Sequence, residues 1–140
     1  MDGKIKPAPY EENEEAAIKE LDAATQKAAP GLERYFSRLS YVYEENGEIL
    51  GRITGEIFCD AMEIKFFVVR EGERGKGIGK QLIRVIEEEA ARQGCRHVTL
   101  ETMSFNSWEF YPAVGYEILA EIKDSPMPGA THYFLHKALK

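Results

Sequence analysis

Between an apolar run and the most regular amphipathic helix of the chain lie residues 72–79, where four of eight positions are glycine. The run before it, residues 64–69, is broken only by Lys65 and reads as the end of a central strand covered on both faces. After it, Ile78, Leu82, Ile83, Ile86 and Ala90 form one helical stripe, and Gly94 supplies the stop. A strand, a glycine loop and a helix in that order let backbone N–H groups approach an anion at the positive end of a helix dipole. A phosphate-bearing ligand is the natural guest. Charge agrees locally: in residues 70–80, Arg70, Arg74, Lys76 and Lys80 stand against Glu71 and Glu73, a net +2. The whole chain carries −6, so the remainder carries −8. One basic spot on an acidic body focuses the field at one place.

Three uses of such a loop compete. A P-loop needs a glycine five residues before Gly79, where Arg74 stands, and a hydroxyl after Lys80, where Gln81 stands. A dinucleotide fingerprint started at Gly75 and Gly77 needs its third glycine at Lys80. Both fail. The third pattern, Arg-x-x-Gly-x-Gly at Arg74, Gly77 and Gly79, resembles the acyl-CoA pyrophosphate loop of the GNAT superfamily of N-acetyltransferases. Downstream, residues 110–116 (Phe-Tyr-Pro-Ala-Val-Gly-Tyr) look like the second signature of that superfamily, in the right order and about 30 residues on.

The rest of the chain suits the same reading. Residues 11–28 form an amphipathic helix with acidic residues in its first turns and Pro30-Gly31 after it. Strands follow at 35–43, 49–58 and 62–69, the first two joined across Asn46-Gly47. A strand at 97–102, a brief helix from about 106, and strands at 116–122 and 131–138 complete the order. That order makes a mixed sheet with helices on both faces the economical architecture, and the resemblance implies an α/β (α+β) fold whose mostly antiparallel sheet is splayed at the cofactor strand. With 140 residues and 44% hydrophobic content, a single domain over 1–140 is expected.

The acidic total argues against a nucleic-acid coat or an anionic membrane partner. No apolar run reaches the length of a membrane span, and residues 1–6 have no apolar signal core, so the expectation is a cytoplasmic protein. Cys59 and Cys95, far apart and outside any metal spacing, read as buried reduced thiols, and no metal is expected.

The resemblance implies roles residue by residue. Acetyl-CoA would be the acyl donor. Phe67, Val68 and Val69 would flank its pantetheine arm as a pseudo-strand. Arg74, Gly75, Lys76, Gly77, Ile78, Gly79 and Lys80 would hold the pyrophosphate, chiefly through backbone N–H groups. Tyr111 would act as general acid toward the departing thiolate, and a phenol suits a leaving thiol of similar basicity. For the base that frees the acceptor amine, the candidates are Glu101, Glu63 and Glu56, with Glu101 preferred because its strand lines the cleft. His132 and His136 alternate on the last strand, read here as an exposed edge. The expected reaction is direct acetyl transfer to a primary amine of a small molecule in a ternary complex.

Two departures from the family pattern stand out. Ser104 occupies a place where many members carry Asn, and Pro112 biases Tyr111 away from helical ψ. They motivate two alternatives, a CoA-binding regulatory domain without chemistry and a protein or peptide N-acetyltransferase. Trp108, Phe105 and residues 126–132 are expected to border the acceptor pocket. The short N-terminal part leaves that pocket open or closed by a second subunit, a possible homodimer.

Overall fold

The computed structural model describes residues 2–140. The elements follow the expected order: α1 (Tyr10–Ala28), β1 (Phe36–Glu45), β2 (Glu48–Phe58), β3 (Ala61–Val69), α2 (Ile78–Arg92), β4 (His97–Met103), α3 (Phe110–Ala113), β5 (Glu117–Lys123) and β6 (Thr131–Ala138). The chain divides into two compact units, one ending at Glu33 and one spanning Arg34–Lys140. In the first, α1 follows Pro9, carries Glu11 and Glu12 in its first turn and Lys27 in its last, and buries no residue. These charges match the helix dipole.

The second unit holds a six-stranded sheet in the order β1-β2-β3-β4-β6-β5. All neighbouring pairs are antiparallel except β3 and β4. Parallel pairing needs a crossover, and α2 supplies it. Its stripe of Ile78, Leu82, Ile83, Ile86 and Ala90 is buried, as the periodicity requires. Gly51 and Gly55 let it sit close, since a Cβ on Gly51 would lie 2.8 Å from Leu82 and one on Gly55 3.2 Å from Ile86. Gly94, at φ 97°, ends the helical turn.

β3 departs from expectation in a way that builds the site. Its register against β2 shifts between Thr54 and Gly55, so that Thr54 opposes Phe66 and Gly55 opposes Ile64. Lys65 is the extra residue of a β-bulge. Before the bulge Met62 and Ile64 face the core; after it Phe67 and Val69 do. Phe66 (75% exposed) and Val68 (52% exposed) are left facing outward. The strand is therefore central but covered on one face only, against the two-sided burial its apolar run suggested. At the same point the parallel ladder with β4 ends, its last pair being Ile64 and Leu100. The sheet splays there.

Two further corrections concern β6 and Cys59. The last strand is not an edge: β6 lies between β4 and β5, and β5 is the edge. Cys95 is buried as expected, but Cys59, at φ 58° in the turn before β3, is only half-buried. Among the described residues no helix is long and apolar enough to cross a membrane.

Candidate active site

The splay opens a cavity of about 690 Å³ between the unpaired end of β3, the glycine loop, β4 and the segment leading into α3. That volume suits a small-molecule site. Of the residues expected to hold a donor, Phe67, Val68, Val69, Arg74, Gly75, Gly77, Ile78, Gly79 and Lys80 all line it. Lys76 does not; its ammonium is taken by Glu73 Oε2 at 2.7 Å. That contact raises the Lys76 pKa, chiefly through the hydrogen bond from its ammonium to Glu73.

The loop's shape follows from its glycines. Gly75 and Gly77 sit at φ 82° and 84°, a region other residues rarely enter, and open space lies where their side chains would be. Gly77 caps α2, and the first helical bond runs from the Gln81 N–H to its carbonyl at 3.1 Å. The N–H groups of residues 75–80 find no acceptor among the described residues. They form an unpaired cradle at a helix N-terminus, with the Arg74 and Lys80 side chains at its rim. Gly79 serves a different purpose. A Cβ there would lie 3.3 Å from the Phe110 ring, so this glycine lets the helix start meet the aromatic cluster.

The opposite wall carries Tyr111. It is buried in the core, with Phe67, Phe110 and Tyr116 rings edge-on at 6.2, 5.4 and 5.9 Å. Its hydroxyl has no hydrogen-bond partner among the described residues, yet it is no sealed orphan, because the residue lines the cavity. Burial pushes the phenol pKa up to about 12. Pro112 does not prevent a helical Tyr111: both lie in the single turn of α3, where a proline's missing N–H costs no bond. A polar cluster fixes this corner from behind. The Tyr116 hydroxyl donates to Glu87 Oε2 at 2.7 Å, and Lys137 Nζ donates to Glu87 Oε1 at 2.8 Å and to the Val114 carbonyl at 2.9 Å. Burial, and then the hydrogen bond to Glu87, drive the Tyr116 pKa upward. Sequence reading missed Glu87, though its place on the buried side of the α2 wheel was visible.

Of the carboxylates considered as base, Glu101 lines the cavity, while Glu63 and Glu56 do not and face Lys65 and Arg38 at 3.4 and 3.5 Å. Glu101 faces His132, with Nε2 to Oε1 at 2.9 Å. His136 lies farther along the sheet, 3.0 Å from His97. Phe105 lines the cavity as expected, but Trp108 stacks on Tyr133 at 4.6 Å, away from the wall, and residues 126–132 do not reach it. Ser104 has a structural task. Its hydroxyl accepts the Thr131 N–H at 2.9 Å, and its own N–H donates to the Thr131 carbonyl at 2.8 Å, joining the end of β4 to the start of β6.

The family described as acetyltransferase (GNAT) family matches residues 5–116. A blasticidin-S acetyltransferase from Streptomyces morookaense is 36% identical over 101 residues, covering 71% of this chain and 74% of the relative. An acetyltransferase crystal structure from Bacillus cereus ATCC 14579 superposes with a TM-score of 0.87 at 29% identity, covering 98% of each chain. An aminoglycoside 6′-N-acetyltransferase complexed with coenzyme A shares the fold at a TM-score of 0.63 and 19% identity, over 72% of each chain. The protein belongs to the acetyltransferase (GNAT) family and is an N-acetyltransferase.

Proposed function

We propose that the chain transfers an acetyl group from acetyl-CoA to a primary amine of a small, cationic molecule, by direct attack with both substrates bound. One observation carries the reading. A single cavity runs from an unpaired N–H cradle, along a strand edge without a ladder partner, to a tyrosine hydroxyl and a carboxylate. The cradle fits a pyrophosphate, because its donors have no other acceptor and positive-φ glycines keep side chains out. The edge of β3 beyond Ile64 offers backbone groups to a pantetheine amide. When bound, acetyl-CoA supplies the acetyl group as a thioester. Tyr111 holds a proton at its hydroxyl across the whole physiological range and releases it toward the departing sulfur. Glu101 stands where an acceptor ammonium would be relieved of its proton.

The family match runs through both compact units, which supports treating the whole chain as one catalytic domain. The acceptor class draws on the relative named for blasticidin S and on the acidic charge outside the glycine loop. Two measurements test the reading. Acetyl-CoA at 100 times its Kd should stabilise the fold by about 2.7 kcal/mol. Free thiol should then appear only when an amine such as blasticidin S is added. Stabilisation without amine-dependent thiol release would favour a CoA-binding regulator instead.

A further inference from the structure

Two carboxylates line the cavity, Glu73 and Glu101. Glu73 lies at the phosphate end and is neutralised by Lys76 at 2.7 Å. Glu101 has no Lys or Arg against it among the described residues; its partner is the His132 imidazole at 2.9 Å. That ring is held in place. Its side chain is 17% exposed and stacks on Phe134 with centroids 4.4 Å apart. Its cross-strand neighbours are Met103 on β4 and Ile122 on β5, so among the described residues the charged group it meets is Glu101 alone. Its Nδ1 has no protein partner among the described residues and is left for water.

We propose that His132 positions the base for the acceptor amine, its Nε2–H holding one Glu101 oxygen so that the other is presented to the cavity. Glu101 is the base at the cavity wall, and His132 behind it is the positioning residue. The proposal rests on the acetyl-transfer reading above. An N–H bond of the acceptor ammonium breaks, and an O–H bond forms on the Glu101 oxygen that His132 does not hold. The Glu101 O–H then gives its proton to water, and His132 keeps its Nε2 proton throughout, donating it to the other carboxylate oxygen. The carboxylate is restored, the ring is unchanged, the amine keeps its lone pair, and nothing is oxidised or reduced. Phe66 and Phe105, exposed rings on the same cavity, would flank the cation.

The test follows thiol release from pH 6 to 10 with blasticidin S, spermidine and tobramycin as acceptors. Glu101→Gln should lower kcat/KM about 100-fold at neutral pH. The loss should shrink as pH rises, because an amine already free of its proton needs no base. His132→Ala should lower kcat about tenfold with amine KM nearly unchanged, and His132→Gln, which keeps an N–H for Glu101, should recover most of that loss. Added imidazole should restore part of the rate in His132→Ala. Losses independent of pH, or a wild-type profile in His132→Ala, overturn the positioning role while leaving the transferase intact. Failure of the wild type to acetylate all three amines overturns the transferase reading and the positioning role with it.

Discussion

In the proposed reaction the proton for the leaving sulfur comes from one hydroxyl, that of Tyr111. Its phenol is buried among Phe67, Phe110 and Tyr116, and only the cavity side is open. Tyr111→Phe should lower kcat by 100-fold or so while acetyl-CoA affinity changes little, and an unchanged kcat in steady-state kinetics would remove Tyr111 from the reaction. The raised pKa has a second consequence. A phenol that ionises at about 10 when unfolded and at about 12 when folded stabilises the fold fully below pH 10. That contribution is lost as pH climbs from 10 through 12. Melting curves over this range should fall more steeply for the wild type than for Tyr111→Phe. The tyrosine itself was legible in sequence through its motif. That Pro112 leaves it helical was not, because whether a residue before proline tolerates the helix depends on its position within the turn.

Among the elements, the strand–loop–helix from β3 to α2 divides its work between backbone and side chains. Lys80 and Arg74 line the cavity, whereas the Lys76 ammonium is spent on Glu73. Substituting Arg74 or Lys80 by Gln should weaken acetyl-CoA binding about five- to tenfold in calorimetry, with the loss fading at high salt; Lys76→Gln should change it by less than about twofold. Gly77→Val should be far more damaging than any of these, since a β-branched residue at φ 84° is strained whatever space surrounds it. The glycines and their spacing made this element readable from sequence. The bulge at Lys65 was not readable. A run of apolar residues looks the same whether it alternates faces regularly or slips by one, and only pairing with β2 reveals the slip. That slip turns Phe66 and Val68 outward and parts β3 from β4, so the site exists because of a feature the sequence hides.

At the scale of the whole molecule, the Glu87–Tyr116–Lys137 cluster ties α2 to β6 and to the turn that carries Tyr111. Its polar atoms are satisfied by one another, as buried groups must be. Lys137→Met should cost about 2–3 kcal/mol in chemical denaturation, because it strips a charge-assisted partner from a nearly buried carboxylate; Tyr116→Phe should cost about 1–2 kcal/mol. A loss below about 0.5 kcal/mol in both would mean that packing alone holds the corner. What the sequence by itself determined is local: helix periodicity, the hairpin at Asn46-Gly47, the anion cradle and the tyrosine motif, each set by spacing within a few residues of one another. The insertion of β6 between β4 and β5, the splay at Lys65 and the meeting of Glu101 with His132 were decided by the tertiary structure. Each joins residues that are distant in the chain or depends on strand register, and register is set by the burial of a whole face rather than by any residue's own preference.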